Sequence, residues 1–124
     1  MAKNKEANAV TYKAAFASTD GDSVNIHYGR AEKFFVYAIK DDEGYDFLEE
    51  RKAKPVCMDG KHIIPEMEKS TKQFEDCHYV IASRIGGGAA ASLTARGITP
   101  MELPGTIDDA ILKVWEYNRI QGLF

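Results

Sequence analysis

The sequence predicts an α/β fold with a mixed five-stranded sheet and helices on both faces, and three observations carry that prediction. Phe34 to Ile39 is apolar on both alternating faces (Phe34, Val36 and Ala38 against Phe35, Tyr37 and Ile39), as a strand covered on both sides should be. Ile107, Ala110, Ile111, Val114 and Trp115 recur at i, i+3, i+4, i+7 and i+8, the stripe of an amphipathic helix. The order of the runs completes the case. Three strand-like runs separated only by turns are followed by alternating helical and strand-like segments, which favours parallel pairing in the second half.

The elements follow in order. Residues 1 to 10 are polar and without periodicity and read as a frayed tail, leaving 11 to 124 as one domain. Tyr12 to Ser18 is a short apolar run stopped by Thr19-Asp20-Gly21-Asp22, a buried strand ending in a turn. Ser23 to Arg30 reads as a loop or short extended piece carrying His27. Phe34 to Ile39 is an inner strand. The Asp41-Asp42-Glu43-Gly44 cluster turns the chain into Phe47 to Ala53, whose Glu49, Glu50, Arg51 and Lys52 suit a solvated edge strand.

After Pro55 and Asp59-Gly60 the period becomes helical, with Pro65 in the first turn, Glu66 and Glu68 near the positive end, and Ile64, Met67 and Phe74 as apolar positions. Tyr79 to Ser83 is the next buried strand. Gly86-Gly87-Gly88 opens a small-residue helix from Ala89 to Arg96 that Gly97 can terminate, and Ile98 to Leu103 is the last strand. Thr106 with Asp109 resembles a capping box, with Asp in place of Glu, at the head of the final helix.

The totals exclude several classes. At 124 residues, with 44% hydrophobic and 28% charged, the chain suits one domain around a single core. A net charge of −3 argues against broad nucleic-acid or anionic-membrane binding and leaves room only for a local basic patch. No apolar stretch approaches the ~20 residues of a membrane span, and the first residues lack a signal peptide's apolar core, so a cytoplasmic location is expected. Cys57 and Cys77 are far apart and form neither a disulfide framework nor a four-thiolate site.

In sheets of this kind ligands sit outside the carboxyl ends of the parallel strands, here the Asp20 to Gly29 and Arg84 to Gly88 loops. His27 could offer a ring nitrogen to iron or another borderline metal, or be an ordinary hydrogen-bonded loop histidine. Gly86, Gly87 and Gly88 cost conformational entropy three times over. Either their amides at a helix start attract an anion, or small residues are needed there for close packing. Arg84 would add a fixed cation or pair with a surface carboxylate. Asp20, in the turn with Gly21 that lets backbone approach a bound group, is a candidate cofactor-binding residue, Cys57 is a candidate soft ligand, and Cys77 reads as a small core residue. His62 and His78 have no spacing that defines a site. A magnesium nuclease would use Asp20, Asp22, Glu49 and Asp76, but the first two lie in a glycine-punctuated loop and no basic groove accompanies them.

Taken together, Ala17-Ser18-Thr19-Asp20-Gly21, His27-Tyr28-Gly29-Arg30-Ala31 with Phe34-Phe35-Val36-Tyr37, Glu50-Arg51 with Cys57, and Asp76-Cys77 through Arg84-Ile85-Gly86 to Gly97-Ile98-Thr99-Pro100 resemble the dinitrogenase iron-molybdenum cofactor biosynthesis family. That family includes NifX, NifY and the carboxyl-terminal domain of NifB, and the likeness spans roughly residues 12 to 115. It implies a ribonuclease H-like fold without enzymatic activity, and a carrier of the iron-molybdenum cofactor or its iron-sulfur precursor that works with nitrogenase assembly proteins. His27 matches the histidine of the family's His-Phe-Gly element, here His-Tyr-Gly, and is the ligand it implies first. Two thiols cannot supply the four thiolates of an ordinary iron-sulfur site, which suits a carrier of a preformed cluster better than a cluster builder. The alternative is an interaction or regulatory module of the same fold that binds a partner protein or small anion.

Overall fold

The computed structural model describes residues 11–40, 43–55 and 64–121. Their elements, in chain order, are β1 (Thr11–Ala17), β2 (Ser23–Val24), β3 (Lys33–Lys40), β4 (Gly44–Lys52), α1 (Ile64–Lys72), β5 (Tyr79–Ala82), α2 (Gly87–Ala95), β6 (Thr99–Glu102), β7 (Gly105–Thr106) and α3 (Ile107–Gln121). Five strands form one sheet in the order β4-β3-β1-β5-β6. β1 pairs antiparallel with β3 and parallel with β5, β3 pairs antiparallel with β4, and β5 pairs parallel with β6. The mixed five-stranded sheet expected from the order of runs is present.

Alternation along the strands assigns two cores. Ala15, Ala17, Phe34, Val36, Val80 and Ala82 point to one face, where they meet Phe74 together with Ala89 and Leu93 of α2, while Met67 of α1 packs against the margin. Tyr12, Ala14, Phe16, Ile39, Tyr79 and Ile81 point to the other, beneath Ile107, Ala110, Ile111 and Val114 of α3. Helices therefore cover both faces. Ala14 to Ala17 on the central strand are wholly buried, and the small side chains of Ala14, Ala15 and Ala17 let the helices come close to the sheet.

Differences from the sequence reading lie at element ends. α1 stops at Lys72, so Phe74 reaches the core from the turn after it. α2 begins at Gly87, two residues earlier than the glycine-rich composition suggested. Gly97 ends it as expected: its φ is +80°, its N–H donates to Thr94 O at 2.9 Å, and Ile98 N–H donates to Leu93 O at 2.9 Å. Thr106 Oγ1 accepts from Asp109 N–H at 3.0 Å, the expected cap on α3, whereas Trp115 is only half-buried. The β2–β7 pair, two residues on each side, was not legible because it is too short to show a period. It fastens the loop after β1 to the head of α3, where Ile107 N–H also donates to Asp22 O at 2.8 Å.

β4 is an edge strand, as its charges suggested, and it is tied back through Arg51. That guanidinium donates to both oxygens of Asp76, at 2.9 and 2.6 Å, to Glu49 at 2.9 Å and to Gln73 O at 2.7 Å. Lys13 also pairs with Asp76, at 3.1 Å. The Arg51 side chain is 17% exposed and that of Asp76 43%, so the pair is only partly screened. Hydrogen bonds from Arg51, with Lys13 adding to them, hold the Asp76 carboxyl well below the usual carboxylate range. Cys77 is a buried core thiol pushed up to about 12, first by burial and then by the Asp76 charge.

A carboxyl group with a depressed pKa stabilises the fold fully above the ordinary value of about 4, and that contribution is lost as pH falls below it. Asp76→Asn is therefore expected to cost about 1 kcal/mol at neutral pH, after discounting for solvent at the carboxylate, and to flatten the acid limb of stability. Denaturant melts across pH check this. Parallel acid limbs for both proteins would contradict it.

Candidate functional site

Because β1 and β5 are parallel neighbours, both carboxyl ends fall on one edge of the sheet, and the loops that follow run side by side. Ser83 N–H donates to Ile26 O at 3.1 Å, Tyr28 N–H donates to Arg84 O at 2.9 Å, and His27 and Arg84 form a parallel bridge. The two loops named from sequence are thus brought together.

Tyr28 holds this arrangement in place. Its ring is 2% exposed, packed against Phe34 and Phe74, and its hydroxyl shares a 2.6 Å hydrogen bond with Ser70 Oγ. Burial pushes that hydroxyl up to about 12, so it stays protonated at neutral pH. With the tyrosine anchored in the core, the preceding His27 is left on the surface, in extended backbone with φ of −70° and ψ of 148°. Among the described residues no hydrogen-bond partner occupies the His27 imidazole.

Gly86 precedes α2 in extended backbone, and no side chain caps the helix. The first intrahelical bond runs from Ala90 N–H to Gly86 O at 2.9 Å, which leaves the amides before Ala90 without intrahelical acceptors. A Cβ placed at Gly86, Gly87 or Gly88 would meet nothing within 4 Å, and none of the three has positive φ. Close packing, the structural explanation, is therefore not what these glycines serve. Gly21 differs: its φ is +81° and a Cβ there would lie 3.1 Å from the Phe35 ring, so its small size serves the fold itself.

Asp20 is occupied by its own loop. Its Oδ1 accepts from Asp22 N–H at 2.9 Å, Ser23 N–H at 3.0 Å and Ser18 Oγ at 3.1 Å, and the backbone bonds pull its carboxyl below the ordinary value. Arg84 is exposed and, among the described residues, forms no ion pair. Cys57 and His62 lie outside the described residues. His78 is exposed near Tyr12 and Tyr79. Glu102 is the group that sequence reasoning missed: its Oε2 accepts from Ile85 N–H at 2.8 Å, beside the glycines. Only the placement of β6 next to β5 brings it there, so no local motif announces it.

The carboxylates of the nuclease reading are split between opposite ends of the sheet. Asp20 and Asp22 follow the carboxyl end of β1, whereas Asp76 precedes the amino end of β5 and shares Arg51 with Glu49. Among the described residues no three His, Cys, Asp or Glu side chains gather around a metal position.

Fold and loops together define a small three-layer α/β domain that presents an imidazole, a guanidinium and helix-start amides at one sheet edge. Residues 10–117 match the family model described as "Dinitrogenase iron-molybdenum cofactor". The chain belongs to that family. It is 36% identical to NifY of Klebsiella pneumoniae over 94 residues, covering 75% of this chain and 39% of that one. It is 31% identical to NifX of Sinorhizobium fredii over 105 residues, covering 80% and 65%, and 28% identical to NifB of Chlorobaculum tepidum over 109 residues, covering 88% and 25%. The chain thus spans less than two thirds of each relative's length. Among solved structures, an NMR structure of a NifB-like Thermotoga protein aligns with a TM-score of 0.59 at 24% identity, over 85% of this chain and 88% of that one. A crystal structure from Methanocaldococcus jannaschii aligns with a TM-score of 0.53 at 12% identity, over 86% and 90%, and shares the fold.

Two substitutions test this geometry. Gly88→Ala is expected to raise unfolding free energy by about 0.4–1 kcal/mol, because the alanine fits and the unfolded chain loses freedom. A destabilised variant in thermal or chemical melts would show that the fold requires the glycine. Tyr28→Phe should cost about 1 kcal/mol through the lost bond to Ser70, and an unchanged melt would remove that bond as an anchor.

Proposed function

We propose that this chain is a non-catalytic carrier that holds the nitrogenase iron-molybdenum cofactor, or its iron-sulfur precursor, as cargo on the edge formed by the loops after β1 and β5. The observation that supports the reading is the backbone bridge between His27 and Arg84: it joins two loops that carry, among the described residues, an imidazole without a hydrogen-bond partner, a guanidinium without an ion pair and, two residues on, the glycine-rich start of α2. His27 would supply a ring nitrogen to an iron or molybdenum atom of the cargo. Arg84 and the helix-start amides would face its negative charge. Glu102 opposes an anion at this position, and that cost makes the Arg84 contribution necessary.

Cys57 is the second ligand in this reading. With two cysteines in the whole sequence, the chain has too few thiolates to assemble an ordinary cluster alone, and few covalent ligands favour release to a recipient. Nitrogenase assembly proteins are the expected partners, in the cytoplasm. Among the described residues no helix is long and apolar enough to cross a membrane. The strand order, with an antiparallel hairpin on one side of β1 and parallel strands on the other, supports a ribonuclease H-like reading of the architecture.

The competing reading is an interaction or regulatory module that binds a small anion or partner protein, and the bare amides with Arg84 would serve a simple anion as well. Anaerobic titration with isolated cofactor, followed by metal analysis and visible absorbance, separates the two. Binding should weaken at least about tenfold in His27→Ala. Gly88→Ala should bind more weakly while folding more stably. Affinity unchanged in both variants would sink the carrier reading at this site.

A further inference from the structure

Another concave surface lies behind Tyr28, at the far end of its hydroxyl bond. It encloses about 670 Å³ between the end of β4 and one side of α1. Lys52 and Lys54 approach from the strand, and Glu66, Lys69, Ser70 and Gln73 from the helix and the turn after it. The spacing 66, 69, 70 puts three of these on one stripe of α1, and Gln73 joins them from the turn that follows. Ala53 and Pro55 add apolar wall.

The charge here is out of keeping with the chain. The whole sequence carries −3, yet among the described residues this rim gathers three lysines against a single carboxylate. Among the described residues none of Lys52, Lys54 and Lys69 has an ion-pair partner, so no carboxylate of the fold holds their ammonium groups. Unpaired ammonium groups around one concavity repel each other and focus a positive potential into it. The Ser70 hydroxyl and Gln73 amide add hydrogen-bonding groups at the wall. The volume falls within the range of about 300–1,000 Å³ usual for small-molecule sites.

We infer that this pocket binds a small organic anion bearing two or more carboxylate or phosphate groups, held by Lys52, Lys54 and Lys69 with Ser70 and Gln73. The site is separate from the His27 edge and does not depend on what that edge binds.

The test is a ¹⁵N–¹H NMR titration of the full chain at constant ionic strength, with citrate as the carboxylate probe and pyrophosphate as the phosphate probe. Saturable shifts are expected at the amides of Lys52, Lys69, Ser70 and Gln73 with at least one probe, and the tighter probe identifies the anion class. Lys52→Gln/Lys69→Gln should weaken binding about tenfold or more, and Glu66→Gln should strengthen it. These side chains are exposed, so the variants should keep the native spectrum; His27→Ala should leave the titration unchanged. Shifts that grow without saturating, equal affinity in the double variant, or saturation only by an acidic peptide would each overturn the proposal.

Discussion

Because β1 runs parallel to β5, with Ala14, Ala15 and Phe16 in register with Tyr79, Val80 and Ile81, the two strands deliver their following loops to the same edge. The candidate site at the His27 edge depends on that direction. Had β5 run the other way, the glycine-rich start of α2 would lie at the opposite end of the sheet from the loop after β1. The parallel contact persists beyond the strands as the Ser83–Ile26 and Tyr28–Arg84 backbone bonds, so the site continues the sheet's own hydrogen bonding. Tyr28 then converts the loop into a fixed object by burying a ring among Phe34 and Phe74.

Charge is used differently at the two edges. At the amino end of β5, Arg51, Asp76, Glu49 and Lys13 neutralise one another and fasten the edge strand. At the carboxyl end Arg84 is left without a partner among the described residues, and so are the lysines of the pocket behind Tyr28. A paired cation spends its interaction on the fold, whereas an unpaired one retains it for a ligand.

Glycine shows how the same residue type serves two ends. Gly21 and Gly97 adopt positive φ, and Gly21 also yields to the Phe35 ring, so both are needed by the backbone. Gly86, Gly87 and Gly88 meet neither condition. Packing among the described residues therefore does not account for their conformational cost.

Much of the architecture was legible in the chain because its signals are local. The two-faced apolar run at Phe34 to Ile39 identified an inner strand, the charges of Glu49 to Lys52 an edge, and the stripe from Ile107 to Val114 the helix over one face. His27, Arg84 and the glycines could be named as candidates from residue chemistry. Their adjacency could not be read that way, since it rests on strand direction over more than fifty residues of separation. Glu102 beside Ile85, the two-residue β2–β7 clasp, and the bond between Tyr28 and Ser70 were likewise settled by tertiary packing. Periodicity records which face of an element is buried; which distant groups then touch is decided only when those faces meet.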